Sequence, residues 1–432
     1  MARGRGRFVA TPDPKERGAQ EQSPEGAQLF RAAVRLNGIG RKPVKKLLVT
    51  TLAGAAFALA ASPMAMAAGL SAADLAAGGG QDAIFAKLAA LKDAAAAGKG
   101  KIAVLLPDTQ SSARWATVDA PGFDAAFKAA GLTPDQYIIV NAQGSPQTQQ
   151  TQAEQAITQG ATVILVANLD SGSGAAIEAN AKSQGLVSID YDRLTLNGDA
   201  SYYVSFDNVA VGKLQGQGLA QALKDWNVQK PQIYELGGSP TDNNATLFEQ
   251  GYDSVLQPLY DAKQATLVQR IRVPNWDNQQ GATLFQQALQ AHPEINAVLA
   301  ANDGLGQAAI SILKNNKVGP KTVPVTGQDA TLQGIQNILA GYQYMTVYKP
   351  IYEEVAGAAT LAILARAGQT PDPSLLNGSV DAQNHKTPSL LLTPLSVNAS
   401  NIESTVIADK FIDPTQLCSG DFAAACTAAG VK

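Results

Sequence analysis

Polar side chains follow several short apolar runs of the chain, at the point where each run ends. In an open parallel sheet, ligands bind outside the carboxyl ends of the strands, so these side chains are expected to line one crevice. Carboxylates accept hydrogen bonds from hydroxyl groups, and amides both accept and donate them, which favours a ligand rich in hydroxyls. The runs and the residues after them are 101–106 with Asp108, 186–189 with Asp190 and Asp192, 297–300 with Asn302 and Asp303, and 323–326 with Gln328 and Asp329.

The size and composition of the chain indicate a globular protein of two domains. It has 432 residues, of which 45% are hydrophobic and 16% are charged. That length exceeds one comfortable core, and that hydrophobic content excludes a disordered chain. The formal net charge of −3 offers no positive surface for a phosphate backbone, so a nucleic-acid partner is not expected.

The histidines and cysteines exclude some kinds of site. His292 and His385 lie far apart, and neither adjoins a cysteine, so no metal site, cofactor or histidine-based catalytic triad is indicated. Cys418 and Cys426 predict a short-loop disulfide if the protein is exported, and a pair of free buried thiols is the alternative. Their spacing disfavours a redox site.

The first hundred residues carry signals of export. Residues 44–67 combine Lys45-Lys46, an alanine-rich apolar stretch and a small-residue cleavage site, which predicts a signal peptide; a buried helix is the alternative. Residues 1–43 are therefore interpreted as disordered or as untranslated sequence, with translation starting at Val44. Residues 68–100 are expected to form a leader helix on the surface of the first domain, most regular from Asp82 to Ala97.

From residue 101 onward, short apolar runs alternate with helical patterns. The predicted strands are 101–106, 137–141, 162–167, 186–190, 232–236, 265–273, 297–301, 323–326 and 344–348, with a helix after each of them. Alternation of this kind predicts an α/β fold with parallel sheets and right-handed crossovers. Nine such units exceed one doubly wound sheet, so two sheets side by side are expected.

A set of ordered motifs makes the chain resemble the D-xylose-binding receptors among the solute-binding proteins of sugar ABC transporters, over roughly residues 101–400. The run from Gly237 to Ala245 (GGSPTDNNA) and the run from Thr346 to Pro350 (TVYKP) are the most specific. The remaining motifs are Tyr191-Asp192-Arg193, Ser205-Phe206-Asp207-Asn208, Ala301-Asn302-Asp303 and Gly327-Gln328-Asp329-Ala330.

This resemblance implies a type I periplasmic binding protein architecture, with two doubly wound, Rossmann-like lobes joined by three hinge strands. Lobe one would comprise 101–206 and 349–387, and lobe two 207–348 and 388–432. A monosaccharide, D-xylose before glucose, ribose or another pentose, would be clamped between the lobes and delivered to the membrane permease. The receptor would be a monomer outside the cytoplasmic membrane, with no catalytic residue, cofactor or membrane span.

The resemblance also implies which residues bind the ligand. Two stretches depart from the family pattern, the weakly charged loop Thr109–Ala113 and Val273-Pro274-Asn275. The resemblance therefore extends to the polar residues at the centre of the site and not to the contacts at its rim. The implied ligand-binding residues are Arg114, Trp115, Asp192, Arg193, Asn244, Trp276, Asn302, Asp329 and Lys349.

Several of these residue types have a structural alternative. Trp115 and Trp276 could be core aromatics, and Asp192 with Arg193 could be a structural ion pair. Asp207, Asp242 and Asp303 each precede a predicted helix and are interpreted as helix caps, which leaves Asn302 as the ligand contact. Lys349 needs a partner if it is buried, and Asp329 could supply one.

The sequence disfavours two other functions. Asp190 and Asp192 could form the carboxylate pair of a glycoside-processing enzyme, but Arg193 would keep its neighbour ionised rather than a proton donor. A sugar-sensing transcription regulator would carry a basic DNA-binding helix, whereas this chain has an export signal in that place.

Overall fold

The computed structural model describes residues 70–432, so the expected extension 1–43 and the signal 44–67 lie outside the described residues. No helix within 70–432 is both long enough and apolar enough to cross a membrane. The strands are β1 Lys101–Leu106, β2 Tyr137–Asn141, β3 Ala161–Val166, β4 Val187–Tyr191, β5 Tyr202–Phe206, β6 Gln232–Gly237, β7 Thr266–Arg272, β8 Ala297–Ala300, β9 Met345–Tyr348, β10 Gly378–Asp381, β11 Lys386–Leu392 and β12 Leu395–Asn398.

Helices connect most of these strands. Two single π-helical turns, Trp115–Asp119 and Glu403–Ile407, interrupt the regular pattern. The α-helices are α1 Ala72–Ala76, α2 Gly80–Lys87, α3 Lys92–Ala97, α4 Ala120–Ala129, α5 Pro146–Thr158, α6 Ser171–Ser183, α7 Asn208–Asp225, α8 Asn243–Asp261, α9 Asn278–Ala291, α10 Asp303–Asn315, α11 Leu332–Leu339, α12 Ile351–Arg366, α13 Pro414–Leu417 and α14 Ala423–Ala428.

The strands form two mainly parallel sheets and a short antiparallel pair. One sheet has the order β10-β11-β5-β4-β3-β1-β2, the second has the order β7-β6-β8, and β9 pairs with β12. Within the first sheet only the β10–β11 pair is antiparallel. The chain passes between these sheets after β5, after β9 and after β11, so three connections join them.

Alternating side chains of β1 show why the first sheet is covered on both faces. Ile102, Val104 and Leu106 belong to the large core that includes α4 and α12. Ala103 and Leu105 belong to a separate cluster with α5 and α6. Successive side chains of a strand point to opposite faces, so a continuous apolar run requires helices on both.

The parallel α/β class is as expected, and several local predictions need correction. Residues 323–326 form only an isolated bridge, between Val325 and Val298, because Pro324 has no N–H to donate to a ladder. Strands β5, β10, β11 and β12 were not predicted. The expected lobe boundary after residue 387 falls inside β11, which pairs with β5.

The leader segment is not one helix. At the junction of α1 and α2 the chain breaks at Gly78, Gly79 and Gly80, the first residue of α2, which all have positive φ. A 3₁₀ turn at Leu88–Leu91 joins α2 to α3. Its apolar side chains are buried against α12, which is itself apolar on all sides and buried along nearly its whole length. The leader is therefore part of the core.

The C-terminal tail packs beside β9 and β12. Cys418 and Cys426 are joined in a disulfide, and no free cysteine occurs in the described residues. Leu417 and Cys426 share a small apolar cluster with Ile335 and Tyr348. The tail therefore covers the part of the structure where the chain passes between the sheets.

We expect Leu88→Ala to lower the free energy of unfolding by about 2–5 kcal/mol, because Leu88 is fully buried and its truncation leaves a cavity. Urea unfolding monitored by circular dichroism measures this change. Gln81→Ala, an exposed position of the same segment, is the control and should stay within about 0.5 kcal/mol of wild type. Equal stability of the two variants would contradict a core role for the leader.

Candidate functional site

The nine residues expected to bind a ligand surround one cavity between the two parallel sheets. The space between these residues measures about 330 Å³, part of which is open to solvent. Five further residues line it that the sequence analysis did not select for binding. These are Ser111, Ser112, Asp242, Phe248 and Gln328.

Strand ends place these side chains. Asp192 follows β4, Asn302 follows β8, and Lys349 follows β9, while Arg114 lies in the connection after β1. The carboxyl ends of both parallel sheets thus converge on the cavity, as open α/β sheets predict. The backbone turns sharply here, since Asp192, Trp276 and Asp329 have φ values of 61°, 56° and 91°. Side chains other than glycine rarely adopt this region, and where they do they often mark a functional site.

Arg114 is the most heavily bonded side chain of the site. Its Nε and Nη2 donate to the two carboxylate oxygens of Asp119 at 3.0 and 2.7 Å, and Nη2 also donates to Glu354 at 2.7 Å. Its Nη1 donates to Asp192 at 2.8 Å. Arg114 is only 5% exposed, and both Asp119 and Glu354 are fully buried. The guanidinium is therefore held rigidly at the cavity wall.

Asp192 is the central carboxylate. Burial alone would raise its pKa, but the positive charges of Arg114, Lys349 and Arg193 outweigh burial and lower it. Asn244 Nδ2 donates to the Asp192 carbonyl at 2.9 Å and to its carboxylate at 3.2 Å. This contact joins the end of β4 to the start of α8, across the two sheets. Asp192 is thus ionised and fixed at neutral pH.

Asp242 has two roles, of which the sequence indicated one. It caps α8 by accepting the N–H of Asn244, as predicted. Its other oxygen accepts the indole N–H of Trp276 at 3.0 Å and lies 3.3 Å from Nε of Arg193. The carboxylate therefore also orients two residues of the cavity, a role that depends on contacts distant in sequence.

On the opposite side of the cavity, Lys349 lies 3.4 Å from Asp329, so the expected pairing is present. Ser112 Oγ donates to the same carboxylate at 3.0 Å. Asn302 Nδ2 donates to the carbonyl of Ser111 at 3.1 Å. The loop after β1, whose weak charge departs from the family, therefore contacts the end of the second sheet through hydrogen bonds of Ser111 and Ser112.

The assignment of the cap at α10 was wrong. Asn302, not Asp303, accepts the N–H of Leu305 and caps the helix, while Asn302 also reaches the cavity. Asp303 instead accepts hydrogen bonds from Thr331 and Thr346 in the interior. An amide side chain has both an acceptor and a donor end, which lets Asn302 serve both purposes.

Two tryptophans form the apolar surfaces of the cavity. The guanidinium of Arg114 lies 4.5 Å from the centre of the Trp115 ring, a stacking that fixes the indole. Trp276 lies directly against Gly238, where an added Cβ would come within 2.0 Å of the indole ring. Both tryptophans are buried like core residues, yet both face the cavity. The core and ligand interpretations therefore describe the same side chains.

Glu354 and Asp119 support the site without lining it, and sequence reasoning missed both. Glu354 lies in the first turn of α12, which is a buried apolar helix. No local sequence pattern there indicates that Glu354 binds Arg114. Asp119 lies at the end of the π-helical turn that starts at Trp115. Both are recognisable only once the fold brings them to Arg114. Within residues 70–432, no cluster of side chains is suited to hold a metal ion.

We expect Gly238→Ala to displace Trp276, because the backbone leaves no room for a methyl group beside the indole. Near-ultraviolet circular dichroism and tryptophan fluorescence should change, while far-ultraviolet dichroism is retained. Gly319→Ala is the matched control, since the nearest atom to its added Cβ lies at 4.0 Å. Identical near-ultraviolet spectra of the two variants would contradict the close contact.

The stability of the protein should depend on the ionisation of Asp303. Burial and the nearby charge of Asp329 raise the pKa of Asp303 to about 7. Its proton is therefore bound more tightly in the folded chain, so its contribution to stability is complete below pH ~4 and is lost as pH rises to about 7. Relative to Asp303→Asn, which cannot ionise, wild type should lose up to about 4 kcal/mol of unfolding free energy across that window. Urea unfolding at several pH values measures the difference, and a pH-independent difference would contradict it.

Comparison with known proteins identifies the family. Residues 102–370 match the profile described as a periplasmic binding protein domain. The D-xylose-binding periplasmic protein of Escherichia coli strain K12 is 37% identical over 282 residues, which cover 65% of this chain and 82% of that protein. The multiple sugar-binding periplasmic receptor ChvE of Rhizobium radiobacter is 31% identical, over 74% of this chain and 93% of that receptor.

Solved structures agree with this assignment. The ABC transporter solute-binding protein of Clostridium phytofermentans with bound β-D-glucose superimposes with a TM-score of 0.65 and 26% identity, over 73% of this chain and 99% of that one. The resemblance noted from the motifs and the expected fold class are both confirmed. This protein belongs to the periplasmic binding protein family.

Proposed function

We propose that the protein is the extracytoplasmic receptor of a sugar ABC transporter, which binds a monosaccharide, foremost D-xylose, between its two sheets and delivers it to a membrane permease. The observation that carries this proposal is a cavity lined by carboxylates, amides, cations and two tryptophans from both sheets. In it, Trp115 and Trp276 offer flat apolar surfaces, and the other side chains offer hydrogen bonds.

This set of groups matches the chemistry of a pyranose. Aromatic rings cover the C–H faces of the sugar, and polar side chains bind its hydroxyls. A hydrogen bond to a charged group contributes about 1.5–3 kcal/mol net. Roughly half a dozen such bonds exceed the ~8 kcal/mol of micromolar affinity after the costs of closure and ordering. Each ligand hydroxyl that is absent leaves a buried polar group unpaired, which is the source of discrimination among sugars.

The choice of D-xylose rests on the relatives. Two of them, from Escherichia coli and Haemophilus influenzae, are D-xylose-binding periplasmic proteins, and the second is 34% identical over 63% of this chain. Glucose is the main alternative ligand, since it occupies the solved protein of Clostridium phytofermentans. A thermal-shift screen of aldopentoses and aldohexoses separates these ligands.

Export, hinge closure and a permease partner follow from the same proposal. The signal at 44–67 would direct the chain across the cytoplasmic membrane. The three connections between the sheets, after β5, β9 and β11, are where hinge motion would occur, and the closed form would be favoured by ligand contacts to the second sheet. The division into lobe one at 101–206 and 349–387 and lobe two at 207–348 and 388–432 stays a prediction, with the last boundary moved to the end of β11 because β11 pairs with β5.

The carboxylates near the site support binding without catalysis. In a glycoside-processing enzyme, Asp190 would be the second carboxylate beside Asp192. Asp190 is instead occupied by Thr195, from whose N–H and hydroxyl it accepts hydrogen bonds, both at 2.7 Å. Asp192 is bonded to Arg114 and has a lowered pKa, so it is no proton donor. The two groups do not converge on a common substrate atom as glycosidase carboxylates do.

We expect Trp115→Ala and Asp329→Ala each to weaken D-xylose binding by about tenfold or more, because one removes an apolar surface and the other a hydrogen-bonding carboxylate. Isothermal titration calorimetry measures the affinity, and far-ultraviolet circular dichroism monitors the fold. Trp226→Ala is the control, since Trp226 caps α7 and contacts Tyr344 outside the cavity. Unchanged affinity in both site variants would refute the site.

A further inference from the structure

The hydrogen-bonding capacity of Arg114 is almost fully used by the protein itself. A guanidinium has five N–H donors. Four of the donors of Arg114 bind Asp119 twice, Glu354 and Asp192. A single N–H of Nη1 has no partner within residues 70–432 and is available to a ligand. Bidentate binding of a carboxylate or phosphate needs two parallel N–H groups from one guanidinium, and Arg114 does not offer them.

The other two cations at the cavity are also matched by carboxylates of the chain. Arg193 lies 3.3 Å from Asp242 and donates from Nη1 to the carbonyl of Asn168 at 3.2 Å. Lys349 lies 3.4 Å from Asp329 and 3.9 Å from Asp192. Each cation that lines the cavity therefore already has a carboxylate of the chain as its counterion, although both N–H groups of Arg193 Nη2 have no partner within residues 70–432.

Carboxyl groups outnumber cations at and directly behind the cavity wall. Arg114, Arg193 and Lys349 face three lining carboxylates, those of Asp192, Asp242 and Asp329, within the described part of the chain. Asp119 and Glu354 add two more carboxyl groups directly behind Arg114. Burial and nearby Asp192 raise the pKa of Glu354 well above its usual range, so Glu354 can hold a proton. Without Glu354, four carboxyl groups still stand against three cations at this wall.

We infer that this cavity selects neutral sugars and rejects their anionic derivatives, such as uronic acids, aldonic acids and sugar phosphates. This inference rests on the proposed function and specifies its ligand class. A carboxylate placed among these side chains would meet paired cations and a negative surplus, in a buried space where salt screens weakly. A hydroxyl, in contrast, can use the one free N–H of Arg114 and also donate to a carboxylate.

The test uses the exported, disulfide-bonded protein and ligands that differ only in charge. D-Glucuronate and D-glucuronamide have the same ring and nearly the same shape, and glycerate and glyceramide are a smaller pair that fits even a cavity built for a pentose. Each is measured by competition against D-xylose in titration calorimetry, at constant ionic strength and neutral pH. We expect each anion to bind about tenfold more weakly, or worse, than its neutral partner.

A charge variant makes the test specific to the site. Asp242→Asn removes one lining carboxylate and keeps the side-chain shape, so it should narrow the preference for the neutral ligand by about tenfold. Asp135→Asn makes the same change of charge on the exposed surface and should leave the preference unaltered.

The outcomes separate this inference from the proposed function. If neutral sugars bind but glucuronate or glycerate competes as well as its neutral partner, the charge selection is wrong and the receptor function stands. An Asp242→Asn protein with the wild-type preference would likewise overturn it. If neither D-xylose nor any other saccharide binds, the receptor function itself fails.

Discussion

A buried guanidinium surrounded by carboxyl groups holds the ligand cavity together. Arg114 connects four separately placed parts of the chain: the loop after β1, the π-helical turn, the end of β4 and the first turn of α12. A charge in such a position is stable only with good partners, and loss of one partner of a buried pair costs about 3–5 kcal/mol. The same bonds align the ring of Trp115 and the carboxylate of Asp192. The geometry of one wall thus follows from the need to satisfy a single side chain.

Much of the architecture could be predicted from the sequence because its signals are local. Continuous apolar runs such as 101–106 and 161–166 identify buried parallel strands, and polar residues after them identify the edge that binds ligands. The ordered motifs then indicated the family, and that resemblance indicated nine of the fourteen residues that line the cavity. Strands β10, β11 and β12 were missed because none of them is a continuous apolar run and no helix lies between them: β10 and β12 are mostly exposed or half-buried, and only the first part of β11 alternates between exposed and buried side chains.

What could not be predicted depends on contacts between distant parts of the chain. Asp242 looks like an ordinary helix cap, and only the arrival of Trp276 and Arg193 gives it a second purpose. Asn302 takes the helix cap that was expected of Asp303, because Thr331 and Thr346, far along the chain, accommodate the aspartate in the interior. Glu354 lies in an apolar helix whose sequence suggests core alone. In each case the residue type indicated a polar contact, but the sequence did not indicate which distant residue would make it.

The disulfide-bonded tail has a practical consequence. Asp409 accepts hydrogen bonds from the phenols of Tyr348 and Tyr352, and the residues after it cover the apolar side of α11. A recombinant form that ends before Asp409 would leave both phenols without their hydrogen-bond acceptor and would expose the apolar side of α11 to water. Bacterial cytoplasm keeps thiols reduced, so overproduction there would also forgo the covalent link between Cys418 and Cys426. Material for crystallisation or calorimetry is therefore best purified from an oxidising compartment with its last residues intact.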